Sequence, residues 1–174
     1  MYYRIISDDD NFAAYLPVNH SIELLESING KSLIDTWKPI HLKLMDKKDT
    51  RPVADIMTGY MPFCSRKIYD AIKDRCHGIV EFLPCTVGED NLEYFVFNIL
   101  AVADTVDYEA SKFLRYPDSE KIMFFDKILF TKEVSLPMFK IPDLPFAHYF
   151  CTKELKELIE NANPQGVIFN TDLF

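Results

Sequence analysis

FCSRKIYDAIKDRCHGIV (residues 63–80) and FCTKELKELIENANPQGVIF (residues 150–169) are two copies of one short pattern. Each copy predicts the end of a strand, a capping hydroxyl residue, a short amphipathic helix, a glycine stop and a second strand. Ser65 and Thr152 are the expected N-caps, because their hydroxyl oxygens can accept from free N–H groups of the first helical turn. Each helix is expected to end at a left-handed glycine, Gly78 or Gly166. The sequence therefore predicts two pseudo-equivalent strand–cap–helix–glycine–strand modules that build a scaffold.

The rest of the chain favours strands over helices. Apolar runs or alternating patterns predict strands at residues 1–7, 40–44, 79–83, 94–102 and 122–130. Residues 104–120 contain a turn at 116–119. Residues 136–146 predict an extended connector without a regular ladder, because they contain Pro137, Pro142 and Pro145. These patterns predict one α+β domain over residues 1–174, with a largely antiparallel sheet and few short helices.

Residues 21–37 allow two interpretations. Leu24, Leu25 and Ile28 fit the spacing of a helix that stops at Gly30. The pair Asn29-Gly30 equally suits a type I′ hairpin that joins residues 22–28 to residues 33–37. The hairpin is the favoured interpretation. Trp37, the lone tryptophan, is expected to anchor the core rather than to contact a partner.

Composition excludes several classes of protein. The 174 residues are 48% hydrophobic and 14% aromatic, which argues against disorder. The formal net charge of −8 disfavours nucleic acid and anionic membranes as partners, whereas it permits a basic protein partner. No apolar stretch is long enough to span a bilayer, and the first residues do not resemble a signal peptide. We therefore expect a cytoplasmic protein.

No pattern of reactive residues predicts catalysis, a metal or a cofactor. The cysteines lack metal-ligand spacing and are expected to be buried; they are Cys64, Cys76, Cys85 and Cys151. The histidines are scattered and are expected to have surface or capping roles; they are His20, His41, His77 and His148. A small hydrolase or transferase that uses Cys64 or Cys151 remains an alternative, as does a ligand-sensing scaffold.

Carboxylates stand on several predicted loops. Asp104 and Asp107 precede Ser111, where turn and capping roles suffice. Three acidic segments are candidate partner contacts, because recognition often uses loops; their carboxylates belong to Asp8, Asp9, Asp10, Glu89, Asp90, Asp118 and Glu120.

Ordered landmarks along nearly the whole chain resemble the immunity-protein family of bacterial polymorphic toxin systems that is named after a myxobacterial immunity protein. The structural landmarks are Trp37, Pro39, Ser65, Pro84, Asp104, Asp107, Ser111, Thr152 and Gly166. Two residues depart from the family pattern: Thr152 replaces the more usual serine, and Cys85 stands where an apolar residue is usual. The resemblance implies a cytoplasmic bacterial protein that binds and neutralises a cognate protein toxin without catalysis. It carries over no catalytic residue, and the oligomeric state stays open.

Overall fold

The computed structural model describes residues 1–19, 22–59, 61–144 and 149–173. His20, His148 and Pro145, which figure in the sequence predictions, lie outside these residues. The described chain forms three helices, α1 Ile22–Ser27, α2 Arg66–Ile72 and α3 Lys153–Asn161. Its strands are β1 Tyr2–Ser7, β2 Tyr15–Pro17, β3 Ile40–Leu44, β4 Ile56–Met57, β5 Phe63–Ser65, β6 Val80–Val87, β7 Leu92–Ile99, β8 Lys112–Arg115, β9 Ile122–Lys127, β10 Met138–Phe139, β11 Phe150–Thr152 and β12 Val167–Asn170.

The strands form a six-stranded sheet (β2-β3-β6-β7-β5-β4), a four-stranded sheet (β10-β11-β1-β12) and the two-stranded β8-β9 hairpin. Every pairing between these strands is antiparallel except that of β3 with β6. The fold is therefore α+β with largely antiparallel sheets and short helices, which confirms the prediction.

The two modules have the same topology. In the first, β5 and β6 flank β7, and both run antiparallel to it. In the second, β11 and β12 flank β1 in the same way. Each module is thus a strand–helix–strand unit whose two strands are separated by one antiparallel strand.

The helices of the two modules share one core. Ile68 and Ile72 of α2 are buried in the same cluster as Leu155 and Ile159 of α3. Each helix is too short to persist in water, so burial of its apolar stripe must stabilise it. The two modules therefore pack against each other through the apolar stripes of α2 and α3.

Only one of the two predicted N-caps is present. Thr152 accepts from the N–H of Leu155 through its hydroxyl, at 3.4 Å. The hydroxyl of Ser65 does not cap α2 but donates to Asp55 at 2.6 Å. The Asp55 carboxylate also accepts from the Gln165 N–H at 2.7 Å and pairs with Lys67 at 2.6 Å. The prediction for Ser65 was wrong because its hydroxyl is turned toward this carboxylate, which links both modules.

Residues 22–37 do not form the favoured hairpin. They form α1 and a following loop, and buried Asn98 holds that loop through bonds to the Gly30 N–H at 3.3 Å and the Lys31 carbonyl at 2.7 Å. The Glu81 carboxylate accepts from the Leu33 N–H at 2.8 Å. Side chains of the central sheet therefore decide the path of this segment.

The ends of several strands also differ from their predictions. The strand predicted at residues 79–83 is longer, because β6 continues through Pro84 to Val87. The strands predicted at 94–102 and 122–130 end earlier, because β7 ends at Ile99 and β9 at Lys127. β8 lies inside residues 104–120, where only a turn was predicted, and that turn joins β8 to β9. The proline-rich connector contains β10, which pairs with β11.

Candidate functional site

The four cysteines are free and buried. Burial raises the pKa of Cys76 and of Cys85 to about 12, and it raises the pKa of Cys64 and Cys151 well above the usual range. A thiol attacks as its thiolate. In this conformation Cys64 and Cys151 are therefore neither accessible nor ionised, which argues against their use as nucleophiles.

Two histidines, His41 and His77, lie within the described residues. His41 is half-buried on β3, where its Nδ1 lies 2.9 Å from the Thr86 hydroxyl. His77 is exposed beyond the end of α2. Within the described ranges, no group of three or more His, Cys, Asp or Glu side chains could hold a metal ion.

The family landmarks have structural contacts. The Trp37 indole N–H donates to the Pro84 carbonyl at 2.9 Å, on the side of β6 where pairing with β3 begins only at Cys85. A strand residue directs its N–H and carbonyl to the same side. Proline has no N–H, and at Pro84 no described strand pairs with β6 on the side of this carbonyl, so no ladder hydrogen bond is lost. Trp37 is half-buried against the core, as predicted.

The remaining landmarks shape loops. Asp107 accepts from the N–H groups of Glu109 and Ala110 at 3.1 and 3.0 Å, which confirms its turn role. The buried Ser111 hydroxyl accepts from the Leu129 N–H at 2.9 Å. Asp104 and Pro39 are exposed. None of these contacts brings reactive groups together.

The first acidic segment is an ordered loop. The Arg51 guanidinium donates to the carbonyls of Asp9 and Asp10 at 2.6 and 3.0 Å, and it pairs with Asp49 at 2.7 Å. Hydrogen bonds from Arg51 lower the pKa of the Asp49 carboxyl to about 2. Asp8 accepts from the Asn11 N–H and side chain. Because Arg51 binds backbone carbonyls, the exposed carboxylates of Asp9 and Asp10 stay available for a partner.

The second acidic segment lies at a surface cavity that Tyr15 also lines. Glu89 and Asp90 are exposed in the turn between β6 and β7, and Glu89 lines a surface cavity of about 300 Å³. Its other lining residues are Tyr15, His41, Lys43, Leu44, Lys47 and Gly88. Burial, and then the charge of Asp49, raise the pKa of Tyr15. Asp49 and Tyr15 thus connect the two acidic segments.

We name residues 8–10, 43–51 and 88–91 the acidic end. These ranges contain seven carboxylates and four Lys or Arg side chains, a formal net charge of −3. Sequence reasoning missed Arg51 and Tyr15, which organise this surface. The D-x-R spacing of Asp49 and Arg51 was the available signal, but it could not reveal which backbone the guanidinium would bind.

The third acidic segment lies elsewhere. Asp118 and Glu120 are at the tip of the β8-β9 hairpin, where Glu120 lies 3.5 Å from Arg115. The β8-β9 hairpin packs on an apolar cluster that Tyr2, at the first end of β1, also contacts. Asp8 follows Ser7, at the opposite end of β1. Six strand residues span about 20 Å. The predicted contacts therefore form two separate surfaces.

A buried polar cluster lies beneath the loop after α1. The Lys140 side chain is 1% exposed, and its amine donates to the Ile28 carbonyl at 3.4 Å. Burial lowers its pKa to about 8. No carboxylate of the described residues forms an ion pair with it. The contact orders the loop and brings no second reactive group to the amine.

Among the described helices, none is long and apolar enough to cross a membrane. No protein-family model and no curated protein matches the chain. The resemblance to immunity proteins therefore stays a prediction.

Proposed function

We propose that this chain is a cytoplasmic bacterial immunity protein that binds a cognate toxin domain and blocks its active site. The proposal joins the resemblance of the landmark residues to the geometry of the acidic end. The observation that carries it is the series of residues Arg51, Asp49 and Tyr15, which relates the exposed acidic loop 8–10 to the cavity that Glu89 lines.

The acidic end has the properties that electrostatic recognition needs. Arg51 fixes the backbone of the Asp9 loop through two hydrogen bonds, so little conformational entropy is lost when a partner binds. Free carboxylates attract a basic surface and accelerate encounter. The cavity beside Glu89 can receive one side chain of the partner as an anchor. We therefore expect the toxin surface to be basic.

The first test is expression of the toxin candidate, the C-terminal domain of the protein encoded immediately upstream, with and without this chain. We expect that domain to stop growth alone and this chain to restore growth by forming a stoichiometric complex. An upstream protein without toxic activity, or a toxin that this chain neither binds nor neutralises, contradicts the proposal.

The second test locates the surface. A quadruple variant (Asp9→Lys, Asp10→Lys, Glu89→Lys, Asp90→Lys) should weaken protection strongly. The matched control reverses four exposed carboxylates outside the acidic end and should leave protection intact; these are Asp35, Asp74, Glu109 and Glu133. Equal loss in both variants means that net charge matters and the acidic end does not.

A further inference from the structure

We propose that residues 22–34, which we name the flap, open locally from the sheet beneath them, and that the Lys140 amine makes this opening depend on pH. The flap comprises α1 and the first part of the loop that follows it. It contains no residue of the acidic end, and its opening does not require the proposed function.

Apolar packing holds the flap only loosely. No residue of α1 is buried, and a helix of six residues is too short to persist without packing. Ile28, which is 3% exposed, is the one buried residue of the flap. Two surface cavities of about 340 and 350 Å³ have Leu24 in their linings. A segment with so few buried apolar groups belongs to the least stable part of a fold.

Hydrogen bonds from three side chains close the flap. The Asn98 side chain and the Glu81 carboxylate bind backbone and hydroxyl groups of the loop. The Lys140 amine makes the third contact, to the Ile28 carbonyl. Among the described residues, no other hydrogen bond joins residues 25–34 to parts of the chain that are distant in sequence. Local opening therefore needs the loss of these few contacts and of no strand pairing.

The contact of Lys140 is poorly suited to a charged amine. An ammonium group has three donors, and the described residues give this one a single acceptor, at 3.4 Å. Gly30 lies over the amine, since a Cβ at residue 30 would be 3.7 Å from Nζ. Burial lowers the pKa of Lys140 to about 8, because it penalises the charged form. When the flap opens, water supplies the missing acceptors, so the open state binds the proton more tightly than the closed state.

The other charged groups on the elements around Lys140 are accounted for. Glu81 faces the same polar cluster from β6. Burial raises its pKa, but hydrogen bonds from Ser32, Leu33 and Asn98 outweigh burial and lower it, so this carboxylate stays ionised at neutral and alkaline pH. Asp143 accepts a hydrogen bond from Tyr108. The remaining charged side chains of the flap and of residues 100–104 are exposed; they are Glu23, Glu26, Lys31 and Asp104.

The direction of the pH dependence follows from the two states of Lys140. Its pKa is about 8 in the closed state, and in the open state it returns to the ordinary value of 10.5. The opening constant is therefore highest below pH 8, where both states carry the proton. It falls as the pH rises toward 10.5, because the closed state loses its proton first. Between pH 7 and pH 9 the opening constant should fall about tenfold.

The experiment uses a thiol as the reporter of opening, in the variant Ile28→Cys. Its labelling rate, divided by the rate of the same chain unfolded in urea at that pH, gives the open population when closing is faster than labelling. We expect the introduced thiol to react at least about tenfold faster than buried Cys64, which reports global unfolding. The opening constant should fall about tenfold from pH 7 to pH 9. Equal rates for the two thiols, or equal opening constants at the two pH values, overturn the proposal.

Further variants of the reporter chain assign the pH dependence to one amine. Lys140→Met should abolish it, and Lys140→Gln, which keeps a donor for the Ile28 carbonyl, serves the same purpose if the first variant does not fold. The matched control is Lys31→Met, at an exposed lysine of the flap, and it should leave the dependence intact. A dependence that persists without the Lys140 amine overturns the proposal.

Gly30→Ala tests the closed geometry separately. Residue 30 has φ of +92°, and its Cβ would lie 3.2 Å from the Ile99 carbonyl oxygen. This variant should raise the opening constant at both pH values and leave their ratio unchanged, because it strains the closed flap without altering the amine. An opening constant that does not rise contradicts the proposed closure.

Discussion

Replacing Gly166 with alanine should destabilise the chain more than the same change at Gly78. The two glycines were predicted to end the helices, but α2 ends at Ile72 and α3 at Asn161. Each glycine instead lies between its helix and the following strand, and both have φ of +72°. A Cβ at Gly166 would lie 2.5 Å from the Ala54 Cβ and 2.8 Å from the Phe12 ring. A Cβ at Gly78 would meet nothing within 4 Å. Gly78 is thus an internal control for backbone strain without crowding.

The expected magnitudes follow from these contacts. Left-handed backbone at a residue with a side chain costs about 1 kcal/mol, and this is the whole effect expected at Gly78. Overpacking a filled site adds about 1–3 kcal/mol, and Ala54 cannot yield easily because it is fully buried. The free energy of unfolding should therefore fall by about 3 kcal/mol for Gly166→Ala.

Urea denaturation of both variants and the wild type, followed by circular dichroism, measures these differences. Unchanged m-values would show that the variants differ in stability rather than in the extent of unfolding. Equal losses at the two positions would refute the reasoning, because the φ angles match and only the neighbours differ.

Three further predictions concern buried or half-buried groups. Burial lowers the folded-state pKa of Lys140 to about 8, so between pH 8 and pH 10 the unfolded chain binds more protons at this amine, and the contribution of Lys140 to stability rises with pH. The free energy of unfolding of the wild type relative to Lys140→Met, measured by denaturation at each pH, should therefore rise over that range. A constant difference contradicts this. Native Cys64 and Cys151 should react with a thiol reagent only as fast as the chain unfolds, because both are buried; a fast phase at neutral pH contradicts this. Asp55→Ala should reduce the free energy of unfolding by about 2–3 kcal/mol, because it leaves the Gln165 N–H and the Ser65 hydroxyl without their acceptor. A loss below about 0.5 kcal/mol in urea denaturation would contradict the role of Asp55 as the link between the modules.

The scaffold was predictable because its signals are local. The amphipathic stripe between two strand patterns predicts both modules, whereas the cap at Ser65 and both glycine helix ends were wrong. Where two local signals compete, the sequence fails. Asn29-Gly30 suits a hairpin or a helix end, and Asn98, which lies 68 positions from Gly30, settles the choice. β8 was not predicted because it contains only two apolar residues and, among the described strands, pairs with β9 alone.

The candidate site was less predictable. All three acidic segments were predicted as partner contacts from their charge alone. Their positions on two separate surfaces depend on pairing between strands that are far apart in the sequence. The parallel pairing of β3 with β6 places Lys43 and Lys47 near the turn that contains Glu89. Arg51 binds the carbonyls of Asp9 and Asp10, about forty residues away. No local pattern specifies either arrangement.

The most direct test of partner recognition at the acidic end is the rate of association with the purified toxin domain at low salt and at roughly 0.5 M salt, where exposed charges are screened. The wild type should associate at least about tenfold faster at low salt, while the quadruple reversal at positions 9, 10, 89 and 90 should associate slowly at both. Equal rates and equal salt dependence for the two chains would contradict the account.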